Sequence, residues 1–435
     1  MIYPRTFYIE TYGCTFNQAD SAKIAHLLLD FHYLPSSRYH AEFIIINTCA
    51  VKSQTEAKIL HRIESLPLQE GQKILITGCL PWISDKILTA LPKLNKKIRG
   101  IFDPNSYSHL QQLLESVNTT KNICIDKAPK DGTKSKIIPW ISQYSAPGII
   151  QISEGCNMSC TYCCTHISRG KAISYPLEDI LEQIQFYIDK GTKEIFLTGQ
   201  DCGFYRWESL QVVDLVREIE KKFGNENIFI RIGMIDPIRP EKIIELAHIL
   251  QESQIFYKFL HLPIQSASDN ILHLMKRGYT KSNLDYLFQS IQKYKITIST
   301  DIICGFPYES EEDFLQTYDF VNKYQPDIMN ISKFTPRPNT EAKKMPQLDS
   351  NIIKKRTLLL TNLYIQYQKQ NNLKWNGWKG KALIHGFQPN KPMKFSCRNE
   401  FYKSVVLDKG EINKFVTVEI INSSGQFLTG KIVDD

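Results

Sequence analysis

Ser153-Glu-Gly-Cys156-Asn-Met-Ser-Cys160-Thr-Tyr162-Cys163 follows directly on the apolar run Gly148-Ile-Ile-Gln-Ile152. Three cysteines spaced C-x3-C-x2-C converge on one centre, because so short a loop cannot hold them apart. They fall one short of the four ligands that close a structural zinc site. A [4Fe-4S] cluster on three cysteines leaves one iron open to an outside ligand. Two other readings stay open on these residues alone: a zinc knuckle completed by His166, and free thiols packed as small hydrophobes.

Outward from that loop, strand-like runs alternate with amphipathic helical patterns. The runs are 149–153, 194–198, 228–232, 258–262, 297–303 and 328–334; the helical patterns are 177–189, 210–223, 240–251, 281–294 and 310–324. Six β/α repeats are too few for a closed eightfold barrel, so residues 145–372 are expected to form an open, partial (β/α)6 barrel. Its working edge is the carboxyl ends of the strands, where the Cys156 loop sits. Arg231, Gln265 and Ser266 fall on or after the third and fourth strands, and Asp301 and Arg337 on or after the fifth and sixth. A satisfied polar group at a strand end is the plain alternative for each. His248 and His261 read as structural, and Cys164, Cys202 and Cys304 as spare thiols.

Upstream, three apolar runs each end in a cysteine: Phe7 to Cys14, Phe43 to Cys49 and Ile74 to Cys79. Intervals of 35 and 30 residues, with helical patterns at 20–31, 55–66 and 83–91, match βαβ units with parallel strands. Every thiol then lies at a strand's carboxyl end. Adjacent strands are about 4.8 Å apart, so the three can share a second [4Fe-4S] cluster with one open iron. Gly13 and Gly78 precede two of these cysteines, which suits a tight turn. Asn17 and Asn47 either orient ligands or cap turns. This α/β domain is expected over 1–122, followed by a polar linker over 123–144, in which Cys124 has no partner pattern.

Eleven cysteines in 435 residues point to metal chemistry in a reducing compartment. No apolar run spans a membrane, and Met1 to Gly13 reads as a strand and not as a signal peptide, so a cytoplasmic protein is expected. The net charge is +8, and residues 374–435 supply +4 of it, with ten Lys and Arg against six Asp and Glu. Short segments at 381–384, 404–407, 415–421 and 427–432, broken by glycines, read as a small β-barrel. Lys379, Lys381, Lys391, Lys394, Arg398 and Lys403 interleave with Trp378, Phe395, Phe401 and Tyr402. That mixture suits phosphate contact and base stacking on RNA.

The C-x3-C-x2-C loop with Tyr162 before its last cysteine resembles the cluster motif of radical S-adenosylmethionine (SAM) enzymes. Further strings extend the likeness: Thr11-Tyr-Gly-Cys14, Asn47-Thr-Cys49, Thr77-Gly-Cys79, His261-Leu-Pro-Ile-Gln-Ser266, Met275-Lys-Arg-Gly278, Thr300-Asp-Ile-Ile-Cys-Gly-Phe-Pro307 and Pro336-Arg-Pro338. Together they resemble the radical SAM methylthiotransferases, over nearly the whole chain. The resemblance implies two [4Fe-4S] clusters, on Cys156, Cys160, Cys163 and on Cys14, Cys49, Cys79. It also implies SAM as radical source and methyl donor, a carboxyl-terminal TRAM domain that binds tRNA, and an electron-donor protein such as a flavodoxin or ferredoxin. Thr198-Gly199-Gln200-Asp201 aligns with the element that meets the SAM amino group, and Arg231, Gln265 and Ser266 stand where its carboxylate and ribose are held.

Asn47-Thr-Cys-Ala-Val-Lys52, Arg169-Gly-Lys, Ala172-Ile-Ser-Tyr-Pro176 and Ser266-Ala-Ser268 look most like the branch acting on N6-threonylcarbamoyladenosine at tRNA position 37. The isopentenyladenosine branch is the alternative, and a zinc-holding, non-catalytic RNA-binding protein is the alternative of a different class. Tyr308 and Asn339 stand where the family has glycine.

Overall fold

The computed structural model describes residues 5–84, 86–87, 89, 98–103, 109–120, 122–127, 147–389, 391–425 and 427–433. The first domain is a parallel sheet of six strands in the order Leu34–Pro35, Thr6–Thr11, Phe43–Thr48, Lys73–Gly78, Ile98–Phe102, Cys124–Asp126. The run Phe43-Ile-Ile-Ile is buried throughout, as a central parallel strand covered on both faces requires. Helices Thr15–Asp30 and Ser53–Ser65 return the chain between the strands that carry the cysteines. Thr11 pairs with Asn47 and Asn47 with Thr77, so Cys14, Cys49 and Cys79 emerge from the same edge of three neighbouring strands.

One expectation changes here. Strand Cys124–Asp126 joins the sheet edge, so the domain runs past residue 122. A three-residue edge strand is too short to show a period. Residues 128–146, most of the expected linker, lie outside the described residues, as does much of the helical pattern at 83–91.

The second domain has six parallel strands in chain order. Gly148–Gln151, Glu194–Thr198 and Phe229–Ile232 form one sheet; Phe259–His261, Thr297–Cys304 and Ile328–Lys333 form the next, linked by an isolated bridge between Ile230 and Phe256. This is the expected open (β/α)6 barrel. Its outer helices bury apolar stripes such as Val212, Val213, Leu215, Val216 and Ile219 against the strands.

The last domain is a closed five-stranded barrel of Lys379–Gln388, Lys391–Asn399, Ser404–Leu407, Leu428–Ile432 and Lys414–Ser423. Four of these strands overlap the short segments read from the sequence; the fifth, Lys391–Asn399, lies between two of them and pairs antiparallel with Lys379–Gln388, with a register shift between Phe387 and Gln388.

This barrel docks on the amino-terminal end of the (β/α)6 strands. Tyr402 packs against Phe259 and Tyr257, Arg398 pairs with Glu194 at 2.9 Å, Lys258 with Glu400 at 2.7 Å and Lys403 with Asp327 at 2.7 Å. Lys381 lies over the rings of Phe415 and Phe229. Four of the expected RNA contacts, Lys381, Arg398, Tyr402 and Lys403, therefore hold two domains together. Phe401 and Trp378 form a ring triad with Trp375. The outward groups include Lys379, Lys394, Phe387 and Met393, the last two 52% and 85% exposed.

Candidate active site

The working edge of the barrel is covered by the cysteine edge of the first domain. Gly13 and Gly78 take φ of +113° and +89°, and a Cβ on Gly78 would come within 2.2 Å of the Thr48 carbonyl oxygen. Only glycine turns the strands into the cysteines at that spacing. Asn17 donates to Asn47 Oδ1 at 3.2 Å and to the Thr48 carbonyl at 2.9 Å, while its own Oδ1 accepts from the Cys14 thiol at 3.5 Å. Asn47 donates back to the Asn17 carbonyl at 2.8 Å and to Ser21 Oγ at 2.9 Å. Both asparagines thus tie helix to strand around the thiols.

Opposite lies the loop of Cys156, Cys160 and Cys163. Burial pushes the Cys49 thiol up to about 11 and the Cys156 thiol up to about 12. Cys163 differs: burial raises it, but hydrogen bonds from His166 and Thr165 outweigh that and hold it below the usual thiol range. All eleven cysteines are free of disulfides. Among the described residues, no group of three or more His, Cys, Asp or Glu closes as a metal site would.

Arg169 joins the two sets. It ends the helix Thr165–Arg169 just after Cys163, and its Nε donates to Cys79 Sγ at 3.4 Å across the domain boundary. Its other nitrogens meet Asp20 at 2.5 Å and Glu154 at 3.3 Å. Cys164 reaches the Ala50 carbonyl at 3.6 Å, Thr15 Oγ1 lies 3.5 Å from Thr198 Oγ1, and Arg337 pairs with Glu56 at 2.6 Å. Arg277 is the barrel's own counterpart, donating to Cys160 Sγ at 3.4 Å and to the Tyr162 hydroxyl at 3.2 Å while paired with Asp236.

The expected SAM-contacting residues divide. Gln200 Oε1 accepts the Gly155 backbone N–H at 2.5 Å, fixing the start of the cysteine loop. Gly199 packs on Ser153, whose hydroxyl is buried without a partner, and a Cβ there would come within 2.6 Å of it. Thr198, Gly199 and Gln200 therefore line the loop. Asp201 is buried beside them, its carboxyl raised to about 7 by burial and by Asp236. Gln265 also sits at the edge, in left-handed backbone at φ +65° bonded to the Asp301 and Ile303 main chain.

Ser266 does not face the site. Its hydroxyl is buried against Thr317 Oγ1 at 3.1 Å and accepts the Ser268 N–H, so it ties a loop to a helix. Arg231 is placed within its strand and donates to the Tyr402 hydroxyl at 3.0 Å, with Phe196, Phe259 and Tyr402 around it. Its Nε has no partner, so one donor stays uncommitted. His261 holds Asp301 at 3.0 Å, and Asn330 donates to the same carboxylate at 2.8 Å.

Comparison with known proteins places this geometry. The radical SAM superfamily model matches residues 150–321, and that of the Uncharacterized protein family UPF0004 matches residues 6–100. The chain is 33% identical over 434 residues to a probable threonylcarbamoyladenosine tRNA methylthiotransferase of Pyrococcus horikoshii, covering 98% of this chain and 99% of that protein. It is 30% identical over 441 residues to the threonylcarbamoyladenosine tRNA methylthiotransferase of Drosophila melanogaster, covering 98% of this chain and 78% of that protein. The chain belongs to this methylthiotransferase family. Among solved structures its fold is similar to that of TsrM, a radical S-adenosylmethionine methyltransferase from Kitasatospora setae, with a TM-score of 0.59 at 12% identity over 78% of this chain and 75% of that one.

As a radical SAM methylthiotransferase, the protein uses SAM and [4Fe-4S] clusters, and the residues present fit them. Each three-thiol set has soft donors, and a bound metal charge is what removes protons from thiols buried as Cys49 and Cys156 are. The orphaned Ser153 hydroxyl and the uncommitted Asp236 Oδ1 lie among the residues around the loop. The zinc-holding RNA-binding alternative is not favoured. Linear reading missed Arg169 and Arg277 as site residues. Both stood inside family-like strings, but only the fold shows which sulfur each guanidinium reaches.

Proposed function

We propose that this chain installs a 2-methylthio group on C2 of N6-threonylcarbamoyladenosine at tRNA position 37, with Cys156, Cys160 and Cys163 holding the SAM-binding cluster and Cys14, Cys49 and Cys79 holding the second. The observation that carries the reading is Arg169, which follows one cysteine set in sequence and touches the other in space. When bound, the clusters and SAM supply the radical at the substrate carbon and the sulfur and methyl that join it.

The chain's own residues position and exclude. Gln200 and Thr198 fix the loop beside which SAM would lie, and Tyr162, Phe306 and Phe334 form an apolar wall behind it. Lys52, exposed three residues beyond Cys49, is within electrostatic reach of Asp301. It is a cation placed to meet the carboxylate of a threonylcarbamoyl group, which isopentenyl lacks.

Among the described residues no helix is long and apolar enough to cross a membrane. A cytoplasmic setting suits a tRNA substrate and an electron donor such as a flavodoxin or ferredoxin. The outward face of the last barrel, including Lys379, Lys394 and Phe387, is the surface we assign to tRNA.

The test is mass spectrometry of tRNA nucleosides with and without the protein. A methylthio group gained on threonylcarbamoyladenosine is expected. A gain on isopentenyladenosine instead would overturn the substrate, and no methylthio product on any nucleoside would overturn the reading.

A further inference from the structure

We infer that Arg169 is a positioning residue for the iron–sulfur group on Cys14, Cys49 and Cys79, setting how readily that group accepts an electron by donating a hydrogen bond to the Cys79 sulfur from the opposite domain. The inference rests on the cysteine assignment above.

The guanidinium has no freedom to leave. Nε reaches Cys79 Sγ at 3.4 Å, one terminal nitrogen meets Asp20 at 2.5 Å and the other meets Glu154 at 3.3 Å. The side chains of Arg169, Asp20 and Glu154 are each 1% exposed, and the Phe16 ring lies 4.8 Å from the guanidinium carbon. Asp20 is itself held by Gln151 Nε2 at 2.9 Å. Asp20 comes from the first domain, whereas Gln151 ends the strand Gly148–Gln151 and Glu154 ends the strand Ser153–Glu154 that leads into the Cys156 loop. Of the groups around the N–H···S bond, the sulfur, Asp20 and the Phe16 ring thus come from the first domain, and Arg169, Gln151 and Glu154 from the barrel. The bond exists only when the two domains are docked.

Hydrogen bonds to cluster sulfurs, and positive charge near them, stabilise the more negative, reduced state. The effect is large where water is excluded. Arg277 supplies an internal comparison: it makes the corresponding 3.4 Å bond to Cys160, but wholly from within the barrel domain, with Tyr162, Pro263, Tyr279 and Asp236 as its other partners. One buried guanidinium therefore serves each thiol set, and the two are different residues. Removing either one must lower the reduction potential of its own cluster and leave the other unchanged.

The experiment uses the full chain, reconstituted anaerobically in two backgrounds, C156A/C160A/C163A and C14A/C49A/C79A, each of which should keep about four irons. Midpoint potentials are read by EPR-monitored redox titration. In the first background R169Q is expected to shift the midpoint to more negative potential without loss of iron, and R277Q to leave it in place. In the second background the pattern reverses. R169K, which retains the buried charge beside Asp20 and Glu154 but not the planar fork, carries the test should R169Q fail to fold, and is expected to shift in the same direction. An unmoved midpoint in the first background, or equal shifts in both, overturns the inference. If the first background binds no iron, the cysteine assignment falls and this inference with it; iron with an unmoved midpoint sinks this inference alone.

Discussion

Replacing Glu56 by leucine should loosen the first domain from the barrel. Glu56 is 2% exposed and Arg337 6%, and their charged atoms are 2.6 Å apart. Arg337 Nε already lacks a partner, so removing the carboxylate leaves a cation buried with little to replace it. Breaking one side of such a pair costs about 3–5 kcal/mol. Glu56 also accepts from Ser84 Oγ at 3.0 Å, a bond worth about 1 kcal/mol. The double variant E56L/R337M removes both charges, and buried pairs replaced by apolar side chains of similar volume are often neutral. With a urea slope of about 2 kcal/mol per molar, E56L should lower the midpoint of the transition that releases the first domain by about 2 M. E56L/R337M should recover most of that loss. A midpoint for E56L within about 0.3 M of the parent, or a double variant no better than the single, would refute the reasoning.

Three further outcomes are expected. G78A forces a Cβ to 2.2 Å from the Thr48 oxygen at φ +89°, so it should cost about 2–4 kcal/mol by urea unfolding and displace Cys79 enough to lower iron content; an unchanged midpoint would contradict it. The Asp201 carboxyl is raised from 3.8 to about 7 by burial and Asp236, so the folded state keeps a proton that the unfolded chain releases. The stability this provides is full below pH about 4 and lost as pH rises to about 7; D201N should therefore be more stable than the parent at pH 8, by up to roughly 4 kcal/mol, with the gain vanishing at pH 4, and an equal effect at both pH values would count against it. K379A/K394A should reduce the slope of log affinity for tRNA against log salt by about 2 with stability unchanged, whereas R398M should weaken domain docking instead; no change in slope would move the RNA surface elsewhere.

Much of this architecture was legible because its signals are local. The strands ending in Cys14, Cys49 and Cys79 show as apolar runs at βαβ intervals, and the helix at Leu177–Asp189 lies where its periodicity puts it. Strand Cys124–Asp126 and strand Lys391–Asn399 were not, one being too short for a period and the other opening with Lys-Pro. Tyr308 takes φ +65° without glycine, at a strain of about 1–2 kcal/mol, and lies exposed. Asn339 keeps its turn at φ +62° and donates to the Ile83 carbonyl. The site was half legible. Cysteine spacing announces ligands, but polar residues do not announce their direction. Arg231, Ser266, Arg398 and Tyr402 all had suitable chemistry for ligand contact, and packing between domains or within loops turned each of them to another use.

The facing of the two three-cysteine sets is tested most directly by EPR on the reconstituted full chain with both clusters reduced. Close apposition across the Arg169 bridge predicts a magnetic interaction between the two centres, one that disappears in C156A/C160A/C163A and in C14A/C49A/C79A. A spectrum equal to the sum of the two single-cluster spectra would contradict it.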